Sequence, residues 1–363
     1  MQRAPAPGRV FIGPSFQLSK PLLIRSNRAY EDAAFWHIVH EWEDDLARLT
    51  GGRIETASAD SGSLRKMLRR RGWNTLGRLK PRVVPRTLNT LVHPLAACQG
   101  NFGFCMNAAE LEENLRLPSA IAMVIDFWGH TSLDHFENQF WNCSCIGISN
   151  LDAYLRLRGK TRLPVAHWPV VLPSATASRL RKIRRPWNER SVDILFAGRQ
   201  NPVFKSWLFD GDMDISDINI VWQERLNGKN VYRSNQTPEL IPTTPRDVYL
   251  ELLANSKIAL YSTPGIDGGE HRTGGANPIT PRYLELLAAG CQIISRYSDS
   301  SDADYFKVNH FTHRVFNFRE FRDKVKSLLE NQQCNQAGPV SEFLELNAFQ
   351  ASHPAVQYIR SVI

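Results

Sequence analysis

Short continuous apolar runs alternate along the chain with apolar residues set at helical spacing. Residues 9–13 read as a short buried first strand. Phe35, Ile38, Val39, Trp42, Leu46 and Leu49 then form one helical stripe, and Gly51 stops it. The pattern predicts a strand at 53–57, a basic helix at 63–71, a strand at 87–92 and a helix at 108–115. Residues 120–125 are apolar without interruption, as in a strand covered on both faces, and the run ends at Asp126. A short strand at 145–149, a helix at 151–157 and a proline-bounded strand at 164–173 complete the first half.

The second half repeats the alternation. A strand at 192–197 runs into Gly198 and Arg199. Strands at 218–222 and 257–261 flank a helix at 245–254, with Asp247 and Glu251 on its polar side. A glycine-rich loop at 265–277 leads to a helix starting at Thr280 and a strand at 292–295. An amphipathic helix follows at 318–331, and one or two more lie between Pro339 and Ile363. Strands alternating with helices in both halves predict two doubly wound α/β domains. Residues 1–173 form the first and 191–338 the second, joined by a polar, basic linker at 174–190. The segment 339–363 is helical and crosses back to the first domain.

Composition narrows the class. The chain has 363 residues, 42% hydrophobic and 22% charged, as in soluble globular proteins of two domains. It holds no apolar run long enough to span a membrane, and its first residues lack the apolar stretch of a signal peptide. The cysteines Cys98, Cys105, Cys143, Cys145, Cys291 and Cys334 suit neither a zinc site nor a disulfide framework, which implies buried thiols in a reducing cytoplasm. The formal net charge is +8, and nine Lys and Arg with no acid fall between Ser61 and Arg86, beside Trp73. That segment fits an anionic membrane surface or a solvated helix face. No helix-turn-helix, RNA-recognition or zinc-finger pattern supports nucleic acid. A second basic group includes Arg179, Arg181, Lys182, Arg184, Arg185 and Arg190.

The chemistry gathers where strands end. Thr280 is a suitable N-cap, Pro281 suits the first helical position, and Gly290 ends the helix. A glycine-rich loop feeding such a helix N-terminus favours a bound anion. Glu285 lies one turn in, and Arg282 in the first turn is a further phosphate contact or a solvated residue. The run Leu284-Glu285-Leu286-Leu287-Ala288-Ala289-Gly290 also fits a helix packed on a parallel sheet with Glu285 on its wet side. It resembles the donor-site helix of group-1 glycosyltransferases of the GT-B fold, where an acid in an L-E-A-x-A-x-G pattern binds the donor ribose. Phe196-Ala197-Gly198-Arg199 with Lys205 is similar to the opening of that family's donor domain. The resemblance implies that Arg199 and Lys205 hold the donor diphosphate. The chemistry agrees: glycine admits a phosphate to the backbone, and arginine offers a two-pronged donor. Lys205 lies six residues after Arg199, where five is usual.

Thr263 follows a strand and joins the expected donor set with Asn277 and Thr280. Asn277 stands where many retaining members of the family carry an acid, and Glu270 upstream is out of register to replace it. In the first domain, Asp126 and then His130 are the candidate bases for an acceptor hydroxyl, against Asp126 capping a loop and His130 packing beside Trp128. His130, Asp134 and His135 lack further ligands at metal spacing. The resemblance implies a GT-B glycosyltransferase. It would use a nucleotide-sugar donor, a glycan or lipid-linked acceptor, and no metal cofactor. A nucleotide-sugar epimerase or phosphorylase of the same fold, and a binder without turnover, remain alternatives.

Overall fold

The computed structural model describes residues 22–28, 36–56, 100–109, 115, 120–211, 213–331 and 337–362. The expected elements at 9–13, 63–71 and 87–92, most of that at 108–115, and the basic segment 61–86 lie outside them.

The first sheet has six strands in the order β2-β1-β3-β4-β5-β6. They are β1 (Leu23–Ser26), β2 (Arg53–Thr56), β3 (Asn101–Asn107), β4 (Ile121–Asp126), β5 (Cys145–Ile148) and β6 (Val165–His167). All pairings are parallel. Strand β3 was missed from sequence because its asparagines and glycine disguise it. It is nonetheless central and buried, and the Leu115 side chain packs where a Cβ on Gly103 would stand. Helix α1 (Trp36–Thr50) follows the predicted stripe, burying Trp36, Val39, Trp42 and Leu46. Helices α2 (Leu133–Phe140) and α3 (Leu151–Leu157) follow β4 and β5, capped by the side chains of Ser132 and Asn150.

The second sheet has seven strands in the order β10-β9-β8-β7-β11-β12-β13. Its parallel part is β7 (Val192–Phe196), β8 (Ile220–Leu226), β11 (Ser256–Ser262), β12 (Gln292–Arg296) and β13 (His313–Arg314). Strand β8 runs on into an antiparallel hairpin with β9 (Lys229–Ser234), extended by β10 (Ile241–Pro242). The expected linker is not irregular. It begins with helix α4 (Ser174–Ile183), whose Thr176 and Leu180 are buried. Helices α5 (Pro202–Phe209), α6 (Arg246–Ala254), α7 (Pro281–Ala289), α8 (Ser301–Tyr305), α9 (Phe318–Asn331), α10 (Ala337–Leu346) and α11 (Pro354–Val362) complete the domain and the C-terminal segment.

One core runs through both halves. It includes Trp42 and Leu46 of α1, Trp168 and Val170 beyond β6, Leu180 of α4, and Leu284 and Leu287 of α7. The Trp42 indole donates to the Val171 carbonyl at 2.9 Å. Helix α11 lies against α1, where Arg360 donates to the Leu49 carbonyl at 2.6 Å and Tyr358 packs on Trp168. The chain thus forms two doubly wound α/β domains, each on its own parallel-rich sheet, packed together through that shared core. Among the described residues no helix is long and apolar enough to cross a membrane.

Candidate active site

In open parallel sheets, ligands bind beyond the carboxyl ends of strands, where the strand order reverses. In the second sheet that point lies between β7 and β11. Two residues beyond β7 lies Gly198, whose φ of +74° is a conformation glycine adopts without strain. Its N–H donates to the Gln223 side-chain oxygen on β8 at 2.8 Å. Arg282, in the first turn of α7, reaches over Gly198 and donates to the Ala197 carbonyl at 2.8 Å. A Cβ on Gly198 would stand 1.6 Å from the Arg282 guanidinium. Glycine is therefore what lets this arginine lie on the strand end.

Arg199 donates to the Pro264 carbonyl, on the loop after β11, at 3.4 Å. Desolvation, then the neighbouring Arg272 and Arg282 charges, lower the Arg199 pKa to about 10, while Asp126 opposes them. Arg272 lies in the glycine-rich loop with its guanidinium over the Trp128 ring, 5.9 Å from its centre. Sequence reasoning overlooked Arg272. An exposed arginine in the short helical turn Glu270–Thr273 carries no local signal, and only the tertiary fold brings it beside Arg199. Among the described residues none of Arg199, Arg272 and Arg282 has an acidic partner within ion-pair distance.

Asp126 faces them from the other domain, at the end of β4. Desolvation raises its pKa to about 6, against the lowering influence of Arg199 and then Arg272. The loop after β4 touches the glycine-rich loop directly. Gly129 donates to the Thr273 carbonyl at 2.6 Å, and a Cβ on Gly129 would meet the Gly274 carbonyl oxygen at 2.0 Å. His130 follows in that contact and is exposed. His135 instead turns to the Ala109 carbonyl, and among the described residues no three His, Cys, Asp or Glu side chains converge as a metal-binding group.

The remaining expected donor residues separate. The Asn277 side-chain oxygen accepts from the Thr263 hydroxyl at 2.9 Å and the Gly265 N–H at 3.0 Å. Both residues thus hold the loop's own shape. Glu270 accepts from the Gly268 N–H at 2.8 Å. Thr280 occupies the N-cap position, yet its hydroxyl makes no capping bond, and its N–H is taken by the Tyr261 hydroxyl at 3.1 Å. Lys205 sits exposed on α5.

Glu285 requires a correction. Its sequence allows two readings, a contact to a donor ribose or a place on the wet side of its helix, and the structure excludes the second. Glu285 is 3% exposed, and its oxygens accept from Arg246 at 2.6 Å and the Tyr249 hydroxyl at 3.0 Å. Arg246 also binds Glu41 of α1 at 2.6 Å and the Thr176 hydroxyl of α4 at 3.0 Å. Helices α6 and α4 cover that face of α7, so the carboxylate belongs to a network joining the domains.

A second junction lies at α8. Asp302 accepts from the Leu151 N–H at the start of α3, at 2.9 Å, and from the Ile279 N–H ahead of α7, at 2.6 Å. Asp152 of α3 in turn accepts from the Ser301 N–H at 2.9 Å. Each helix thus supplies a carboxylate to the other's unpaired N-terminal donors.

No protein-family model matches the chain, and no curated protein sequence matches it. Among solved structures it is similar to the GtfA/B complex, at 12% identity and a TM-score of 0.40. That match covers 76% of this chain and 59% of the other's length. It is also similar to a putative UDP-N-acetylglucosamine 2-epimerase from Listeria monocytogenes, at 9% identity and a TM-score of 0.42, over 94% of each chain.

Proposed function

We propose that the chain is a glycosyltransferase that moves a sugar from a nucleoside-diphosphate sugar to a glycan or lipid-linked hydroxyl. The observation carrying this reading is the convergence of Arg199, Arg272 and Arg282, which have no acidic partner at ion-pair distance among the described residues, beyond the strand ends opposite Asp126. A leaving diphosphate needs its developing charge stabilised by donors already in place, and guanidinium groups in a partly desolvated cleft supply that without a metal ion. Asp126, with a pKa of about 6, is ionised at neutral pH yet basic enough to take a proton from an acceptor hydroxyl. The donor would bind to the second domain and the acceptor to the first, in a cytoplasmic protein. The basic segment 61–86 would hold it to an anionic membrane surface.

A nucleotide-sugar binder without turnover is the second reading. It is favoured by Asn277 and Glu285, whose polar atoms are committed to the protein itself. Thermal shift against UDP, GDP, ADP and their sugars, followed by an assay for free nucleoside diphosphate, separates the two. Release only in the presence of an acceptor supports transfer. Stabilisation by a nucleotide sugar with no release under any acceptor supports the binder, and no stabilisation by any nucleotide refutes both.

A further inference from the structure

A second cationic site lies away from the cleft, at the opposite end of α7. There Gly290 closes the helix, and the segment after α4 folds over it. A cavity of about 230 Å³ is bounded by Arg181, Arg184, Arg185, Arg190, Trp187 and Gly290.

The end of a helix exposes carbonyl oxygens and partial negative charge, which ordinarily repel an anion. Here Arg190 removes that obstacle. It is 4% exposed and donates to the carbonyls of Ser256, Ala289 and Gly290 at 2.6, 2.9 and 3.0 Å, and to that of Arg185 at 3.0 Å. The carbonyls are satisfied by a buried cation, and the same bonds fasten the Arg185 backbone to the second domain. The Arg184 guanidinium lies directly against Gly290, where a Cβ would come within 2.5 Å of it.

Arg181, Arg184 and Arg185 form no ion pair and no side-chain hydrogen bond among the described residues, and all three are exposed. Glu189, the nearest acid in sequence, does not line the cavity. By contrast, Arg179 on the same helix is paired with Glu251 at 3.0 Å. Like charges gathered around a recess repel one another, and an anion offering several acceptor oxygens relieves that. Guanidinium groups match phosphate oxygens with paired donors.

We infer that the cavity formed by Arg181, Arg184, Arg185 and Gly290 is a binding site for a phosphate monoester, separate from the cleft. A ligand there would join the segment after α4 to the end of the helix whose first turn carries Arg282.

The test is calorimetric titration with inorganic phosphate at low salt. It compares wild type, Arg184→Ser/Arg185→Ser in the cavity and Arg199→Ser/Arg272→Ser in the cleft. The cavity variant should lose a binding phase at least tenfold in affinity, and the cleft variant should keep that phase. Unchanged thermal melts verify folding, since the substituted arginines are exposed. A cavity variant that titrates like wild type overturns the inference. So does full affinity in Arg184→Lys/Arg185→Lys, because a diffuse positive surface needs no paired donors. Co-sedimentation with phosphatidic acid vesicles, but not phosphatidylcholine vesicles, that disappears in the cavity variant identifies the source as a lipid headgroup. Phosphate binding without co-sedimentation identifies a free phosphorylated solute.

Discussion

Gly198→Ala tests the arginine cluster with a single methyl group. The new Cβ would stand 1.6 Å from Nη2 of Arg282 and 2.0 Å from its Cζ, so the guanidinium must leave the end of β7. The bond from Arg282 to the Ala197 carbonyl is lost with it. A left-handed backbone costs about 1–2 kcal/mol for a residue with a Cβ, and the lost hydrogen bond adds about 1 kcal/mol. The fold should therefore weaken by roughly 2–3 kcal/mol, well short of unfolding a typical domain. The larger effect falls on the ligand. A hydrogen bond to a charged group contributes about 1.5–3 kcal/mol, so displacing Arg282 should weaken nucleoside diphosphate binding about tenfold to a hundredfold. Calorimetry at 25 °C on protein shown folded by circular dichroism reads this directly. Arg282→Ala should weaken binding to the same degree while keeping the backbone unstrained. If both variants bind nucleoside diphosphate within twofold of wild type, the arginine cluster is not the phosphate site.

Three further outcomes follow from the geometry. Asp126→Asn should lower transfer at least a hundredfold with nucleotide affinity kept, and wild-type kcat/KM should rise with pH through about 6 and then level; a wild-type profile flat from pH 5 to 8 excludes Asp126 as the base. Arg246→Leu leaves Glu285 and Glu41 without their cation and should destabilise the protein by about 3–5 kcal/mol in urea denaturation, and a loss below about 1 kcal/mol refutes the clamp. Burial raises the Asp302 pKa to about 6, so the native state holds that proton more tightly than the unfolded chain. This contribution to stability should be complete below about pH 4 and decline as pH rises through about 6, by an amount on the order of 3 kcal/mol. Asp302→Asn should remove the decline while losing one helix cap, and an unchanged pH dependence in that variant contradicts the assignment.

Much of the scaffold follows from local pattern. The apolar run ending at Asp126 is β4, the stripe ending at Gly51 is α1, and the helices at 151–157 and 318–331 lie where their periodicity put them. Short-range physics suffices there, because burial on one face or two writes a period into the sequence. Pro281 and Gly290 mark the ends of α7 for the same reason. Pattern failed at β3, whose Asn101, Gly103 and Asn107 disfavour a strand in isolation. The paired strands on either side make it one.

The site divides along the same line. The place of Gly198 and Arg199 just beyond a strand was legible, because a buried apolar run ended by a glycine has a local meaning. Arg272 was not, since its value comes from lying near Arg199, which is distant in sequence and adjacent only after folding. The clearest case is Glu285. Its helix and its place in that helix follow from sequence, but the exposure of its carboxylate depends on which helices cover α7. That is decided by Arg246 and Tyr249 on α6, which bind the carboxylate within the second domain, and by Glu41 on α1, which meets Arg246 from the first. The sequence by itself determined many of the segments that become strands and helices, and where several strands end. Only the tertiary structure decided which charges stay free in the cleft and which are neutralised between the domains, because pairing of charges depends on distance in space and not along the chain.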